Sequence, residues 1–277
     1  MNSILKKVYF HIGMSKAGSS AIQQTLCEHH AQLLRSGICY PRTGREDRAH
    51  YLLKQDLLKR DAVDRLQMAL EEASSFSTAV LSCEGFWFLN EARIELIRET
   101  LAGYDAKVIL YLRNPTGYLR SSYRQGVKQK GASHSCEEYL QDVRSQERMN
   151  YPALVERWAR HFPLRVRAYE GVKHAIERDF LIAIEAPLEQ LDISRRVVNP
   201  TPSDGAVTLM LLANRYLPSY MSRRARNVIR QSHRQFEFFS PIDDEVLKKY
   251  GKNAVQEWHL DVLREYLSDD DLCMLTS

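Results

Sequence analysis

Gly13 and Gly18 bracket four residues that include Lys16, and they follow directly on a β-branched and aromatic run, Val8-Tyr-Phe-His-Ile12. This G-x-x-x-x-G spacing suits a loop that cradles a phosphate. The glycines let the backbone turn sharply and approach an anion, and a helix opening at the second aims free N–H groups at it. Ser15 and Ala17 lie inside the loop, and Ser19 and Ser20 add hydroxyls just beyond it. A nucleoside-triphosphatase loop carries Lys directly after the second glycine, then Ser or Thr for magnesium. Ser19 stands in that lysine's place here, so the loop suits a phosphate without the usual magnesium-bound triphosphate. A second set is Arg113 with Ser121 eight residues on. A guanidinium supplies paired donors to a phosphate, and a hydroxyl can add a third. Glu84 closes another apolar run. It suits a general base, an acid holding magnesium, or a cap on the next helix, and the missing magnesium pattern favours the base. His50, a lone histidine at a helix start, reads more readily as a cap or a surface group.

Strands must present these groups. After Lys107, Val108 to Leu112 is a continuous apolar run, as expected of a parallel strand buried on both faces. Thr78 to Glu84 reads as a short buried strand, and Leu164 to Glu170 alternates as a half-buried one. Strands are therefore expected near Val8, Val80, Val108 and Val166. Asn114 can cap a helix whose first residue is Pro115, which places Ser121 about two turns in. Gly37 stops the first helix, and Ile38-Cys-Tyr-Pro41 leads into a polar loop from Arg42 to Arg48. Helices are expected from His50 and over about Ala62 to Ser74. Gln129 to Ser133 reads as a polar loop, and Ser135-Cys-Glu-Glu138 as a capping box. A further helix starts at Asn150-Tyr-Pro152, with Leu154, Val155, Trp158 and Phe162 on one face. From Gly205 the chain reads as helices over Val207 to Leu217, Met221 to Gln235 and Asp243 to Leu263.

The first loop resembles the 5′-phosphosulfate loop of sulfotransferases that use 3′-phosphoadenosine 5′-phosphosulfate (PAPS), commonly Pro-Lys-Thr-Gly-Thr-Thr or Pro-Lys-Thr-Gly-Ser-Thr. Ser15-Lys-Ala-Gly-Ser-Ser20 keeps the lysine, the glycine and two hydroxyls, and replaces the proline by Ser15 and the first threonine by Ala17. Leu112-Arg-Asn-Pro115 with Ser121 is similar to the same family's 3′-phosphate motif. The resemblance extends to roughly Asn199 and Asn214. It implies an α/β, P-loop-like three-layer fold, with a central parallel sheet flanked by helices and a helical C-terminal part. One domain spans 1–277, its core about 1–200 and its helical part about 203–277. The resemblance further implies that Ser15 to Ser20 bind the phosphosulfate and Arg113 with Ser121 the 3′-phosphate. Lys16 would offset charge on the leaving group, and Glu84, or else His50, would take the acceptor's proton. PAPS would be the donor and PAP the product, with no metal, and the acceptor a carbohydrate, glycolipid or small hydroxyl or amine compound.

Composition narrows the classes. With 44% hydrophobic and 27% charged residues the chain reads as an ordinary folded domain. A net charge of +4 suits an anionic ligand without demanding nucleic acid, and no nucleic-acid motif is present. No apolar run approaches a bilayer span, and a cytoplasmic location is expected. Cys27, Cys39, Cys83, Cys136 and Cys273 are odd in number and scattered, which reads as reduced thiols. The basic run Ser222 to Arg234 reads as a solvated helix face, or as a contact for nucleotide or a negatively charged acceptor. Two other functions compete: a magnesium-dependent P-loop kinase or NTPase, and a nucleotide-binding protein without catalysis.

Overall fold

Apolar, β-branched runs form five parallel strands in the order β2-β3-β1-β4-β5. They are β1 (Lys7–His11), β2 (Ile38–Cys39), β3 (Thr78–Ser82), β4 (Asp105–Leu112) and β5 (Leu164–Ala168). The computed structural model describes residues 4–59, 63–141, 149–191, 203–232 and 240–277. Helices α1 (Ser19–Glu28), α2 (His30–Arg35), α3 (Tyr51–Lys59), α4 (Asp64–Glu72), α5 (Glu91–Thr100), α6 (Pro115–Gln125) and α7 (Cys136–Leu140) precede β5, as does α8 (Tyr151–Ala159). After β5 come α9 (Tyr169–Val172), α10 (Ile176–Ala183), α11 (Asp204–Tyr216), α12 (Ser219–Ser232), α13 (Asp244–Gln256), α14 (Leu260–Arg264) and α15 (Asp269–Thr276).

Successive side chains of a strand point to opposite faces, and β1 shows what each face meets. Phe10 lies 4.7 Å from the Phe86 ring and 6.3 Å from Trp158 of α8. His11 turns the other way, 5.3 Å from Phe180 of α10. The sheet is thus covered by helices on both sides, which is the P-loop-like three-layer α/β architecture. From β1 the chain passes to β2 on one side and returns through β3. It then crosses β1 to reach β4 and β5 on the other. Beyond the carboxyl ends of β1 and β4, where the connections diverge, an open α/β sheet binds its ligands.

The C-terminal helices pack back onto this edge. Gly251 of α13 sits against α6 so closely that an added β-carbon would collide with Thr116 Oγ1. Asp271 of α15 accepts the Ala168 amide at the end of β5 at 3.2 Å. Asn114 Nδ2 donates to the carbonyls of Met274, Leu275 and Ser277 at 2.9–3.2 Å, while its Oδ1 caps α6 at Gly117 N.

Three expectations need correction. Ile38–Cys39 is a fifth strand, paired with β3, rather than only a lead into a loop. The stretch from Gln129 is not loop from its start: α6 continues as a π-helical turn, Gly126–Lys130, that ends on Gly131 at φ 72°. Its geometry is held from outside, because Asn214 Nδ2 donates to the carbonyls of Val127 and Ala132, each at 2.9 Å. Finally, Asp243 to Leu263 is not one helix, since α13 ends at Gln256 and α14 begins at Leu260. The capping box at Ser135 and Glu138 is present, as are the Asn114 cap and Pro115 at the start of α6. Residues 233–234 of the basic run, and Asn199, lie outside the described residues. All five cysteines are unpaired, and no described helix is long and apolar enough to cross a membrane.

Candidate functional site

The loop after β1 reaches α1 through two glycines and one lysine with positive φ: Gly13 at 28°, Lys16 at 69° and Gly18 at 83°. A non-glycine residue in the left-handed region costs on the order of 1 kcal/mol and needs support from its surroundings. Support comes from the second corner, where Arg113 Nη1 donates to the Lys16 carbonyl at 2.7 Å. The backbone amides of Lys16, Gly18, Ser19 and Ser20 donate to no acceptor among the described residues. Unanswered N–H groups gathered at a helix start form an anion cradle. Ser19 Oγ is buried and turned back toward the Met14 carbonyl at 3.4 Å, whereas Ser20 is exposed and Ser15 half-buried. Ala17 is buried and offers only its backbone.

Gly18 is fixed by packing as well as by conformation. A β-carbon there would collide with Ile176 Cδ1 and lie 3.1 Å from Tyr169 Cε2. Gly18→Ala is therefore expected to destabilise the fold by about 2–4 kcal/mol, combining left-handed strain with overpacking. A shift of the urea midpoint without a change in slope would show this. An unchanged midpoint would mean that α10 yields freely.

Arg113, half-buried at the exit of β4, is held on three sides. Besides Lys16, its guanidinium stands 5.2 Å over the Tyr169 ring, and its Nε lies 3.9 Å from Glu170 Oε1. Glu170 also accepts the Asn114 amide at 3.0 Å, and Tyr151 donates to the Arg113 carbonyl at 2.6 Å. Arg113 Nε is buried without a hydrogen-bond partner among the described residues. Gly117 lies beneath this group, a β-carbon there falling 3.3 Å from Arg113 Nε. Ser121, one turn further along α6, occupies the same helix face.

Glu84 lies two residues beyond β3, on the other side of β1. Gly13 makes the approach possible, since an added β-carbon would lie 3.3 Å from Glu84 Cα and from the Cys83 carbonyl. The Glu84 side chain is half-buried and caps nothing, the following turn having Gly85 at its cap. Lys16 registers both neighbours. Burial holds its amine below the ordinary value, Glu84 opposes that shift, and Arg113, Lys128 and Lys130 reinforce it. Lys16, Glu84 and Arg113 thus gather just beyond the carboxyl ends of β1, β3 and β4.

His50 is set apart from these groups by its burial. It is fully buried, with Nδ1 3.1 Å from the Ser82 amide and 3.2 Å from the Ser82 carbonyl and its ring edge-on to Tyr40. Burial lowers its pKa to about 3, so it is a neutral ring bracing the end of β3. His11 braces the other side of Ser82, with Nδ1 2.8 Å from Ser82 Oγ, and burial likewise lowers its pKa to about 3. Gln23 of α1 donates to the same hydroxyl at 3.2 Å. Phe86 and Trp87 are core, and Phe88 is exposed.

Several residues of this region are not singled out by the sequence. Lys54 Nζ stands 5.0 Å over the Tyr51 ring and would lie 3.5 Å from a β-carbon on Gly85, beside Glu84. Tyr51 has its phenol pushed up to about 12, by burial first and then by Glu84. Tyr51 and Lys54 sit at the start of a helix that follows His50, which is the available signal. Lys128 and Lys130 flank Gln129 on the π turn, and only a lysine pair beside Gly131 hints at them.

No protein-family model matches the chain, and no curated protein matches it. Among solved structures, a sulfotransferase from Alicyclobacillus acidocaldarius is similar with a TM-score of 0.48 and 15% sequence identity, over 83% of this chain and 96% of that one. A structure from the PezAT chromosomal toxin-antitoxin system of Streptococcus pneumoniae gives a TM-score of 0.27 and 14% identity, over 69% and 88% of the two chains. Likenesses of this size say nothing about activity.

Proposed function

We propose that this protein transfers a sulfuryl group from PAPS to a hydroxyl or amine acceptor. The observation that carries the reading is the bond from Arg113 to the Lys16 carbonyl at 2.7 Å, which joins the two phosphate-type corners into one site. The site has the groups such a donor needs. The unbonded loop amides and Lys16 meet the phosphosulfate, and Arg113, whose buried Nε makes no hydrogen bond among the described residues, serves with Ser121 of α6 for the 3′-phosphate.

PAPS supplies an activated sulfur bonded to a good leaving group. Glu84 takes the acceptor's proton while the acceptor oxygen or nitrogen bonds to sulfur. The sulfur–oxygen bond to the 5′-phosphate breaks, and its electron pair stays on that phosphate oxygen. Lys16 offsets the charge growing there. The amides and Arg113 hold the donor in line, so positioning supplies part of the rate. His50, caged behind Ser82, has no part in this scheme beyond supporting the strand that carries Glu84.

Mass spectrometry of an acceptor panel incubated with PAPS tests the reading, with a sulfate mass increment as the expected result. Magnesium-dependent ATP turnover without that increment would support a kinase or NTPase instead. Tight nucleotide binding with neither activity would support a binding protein. Arg113→Ala is expected to weaken adenosine 3′,5′-bisphosphate about 10–100-fold, as for loss of a charged hydrogen-bonding partner. Calorimetry measures this directly, and an unchanged affinity would remove Arg113 from the nucleotide site.

A further inference from the structure

Arginines and exposed apolar side chains gather on the hairpin of α11 and α12, which the scheme above leaves unused. From Gly205 to Ser232 the chain holds five arginines and no aspartate or glutamate. Of the eleven large hydrophobic side chains left exposed among the described residues, six lie on this hairpin: Leu212, Tyr216, Leu217, Tyr220, Met221 and Val228. Four of them sit at its tip, where all seven residues from Arg215 to Met221 are exposed. Tyr216 and Tyr220 are 72% and 61% exposed, so their rings rest on little of their own fold. Scattered exposed apolar residues are ordinary, whereas a cluster marks a contact surface.

The tip is held from behind. Ser222 Oγ donates to Asn214 Oδ1 at 2.7 Å, and Arg226 bonds to the same oxygen. Asn214 Nδ2 anchors the pair to the carbonyls of Val127 and Ala132, each at 2.9 Å. Buried Ser222 thus marks the inner side of α12. Met221, Arg224 and Val228, all exposed, share the outer side through their spacing of three and four residues. Arg223 and Arg224 are exposed and pair with no carboxylate among the described residues. Arg215 donates to the Ser133 carbonyl at 3.2 Å and is otherwise exposed.

We infer that the tip of this hairpin docks on the surface of an anionic lipid bilayer. Its tyrosines and aliphatic side chains enter the headgroup layer, and Arg215, Arg223 and Arg224 meet the lipid phosphates and carboxylates. Charge complementarity selects an acidic partner, and a second copy of the same surface would set arginine against arginine. Seven consecutive exposed residues at a turn make a projection, which suits entry between headgroups. Nucleic acid would use the arginines and tyrosines but not Leu217, Met221 or Val228, which offer no face for base stacking. With 14 residues, α12 is about 21 Å long, short of the roughly 30 Å of a hydrocarbon core, so the contact is peripheral. The inference stands independently of the sulfuryl-transfer reading.

The test is flotation of the full chain with vesicles of phosphatidylcholine alone, or of phosphatidylcholine and phosphatidylserine at about three to one. Partition is expected to be at least about tenfold stronger onto the mixed vesicles and to fall as salt rises. Arg223→Ser/Arg224→Ser is expected to lose about tenfold or more, since each arginine near an anionic surface contributes several-fold. Arg223→Lys/Arg224→Lys should keep partition. Tyr216→Ser/Leu217→Ser/Met221→Ser is expected to lose at least about tenfold with every charge in place. Circular dichroism checks that these surface variants are folded. Leu217→Trp reads depth, because Trp87, Trp158 and Trp258 are buried: the new tryptophan's emission should be quenched by brominated lipid. Equal partition onto neutral and mixed vesicles would overturn the inference. So would equal partition of wild type and the triple serine variant, or adsorption without quenching. A vesicle-free dimer that the triple variant loses in ultracentrifugation would assign the tip to self-association. A single-stranded oligonucleotide that binds more tightly than the vesicles and displaces them would assign it to nucleic acid.

Discussion

Replacing Lys16 by alanine is expected to lower turnover about 10²–10³-fold at saturating donor, with adenosine 3′,5′-bisphosphate bound within about tenfold of wild type. The asymmetry follows from when the charge appears. On the proposed reading, the negative charge of the bound donor is spread over oxygens that the free loop amides would face. Charge on the bridging oxygen grows only as the bond to sulfur breaks, and on that reading the lysine would act on that oxygen. The backbone need not change, because the positive φ of residue 16 is held by Arg113 through its carbonyl rather than by the lysine side chain. Lys16→Met, which keeps most of the stem, should behave like the alanine variant in rapid-quench assays of single turnovers. Intact turnover combined with lost nucleotide affinity would make Lys16 a ground-state binding group.

Glu84→Gln is expected to cost about 10²–10⁴ in turnover, the usual range for a positioned general base. The swap keeps shape and reach and removes the negative charge together with the ability to accept a proton. Because the Glu84 side chain caps no helix, the folded state should be little disturbed, and melting curves of the two proteins should overlay. Steady-state rates with PAPS provide the measurement. Undiminished turnover would pass the base role to solvent, since His50 is sealed behind Ser82 and cannot meet an acceptor.

Local signals made the two corners legible. Gly13 and Gly18 announced a turn because only glycine takes their conformations cheaply, and Asn114-Pro115 announced a helix start through a cap and a fixed φ. β1, β3 and β4 were legible because parallel strands covered on both faces are mostly apolar, and β5 was legible through its alternation. Ile38–Cys39 escaped because two residues show no periodicity and owe their pairing to β3, some forty residues later. The π turn escaped for a stronger reason. Its carbonyls are satisfied by Asn214, separated from Val127 by 87 residues, so nothing within the turn specifies it. His50 misled because a histidine at a helix start carries no mark of burial. Here its ring fills the space between Tyr40 and Ser82. The dependence of the Asn114 corner on the carbonyls of α15 was equally hidden, being a contact across 160 residues.

The most direct measurement compares adenosine 3′,5′-bisphosphate with adenosine 5′-monophosphate on the unmodified protein by calorimetry. If Arg113 and Ser121 grip a 3′-phosphate while the loop holds the 5′ end, the bisphosphate should bind about 10–100-fold more tightly, as expected of hydrogen bonds to a charged group. Equal affinities for the two nucleotides would contradict a single site spanning both corners.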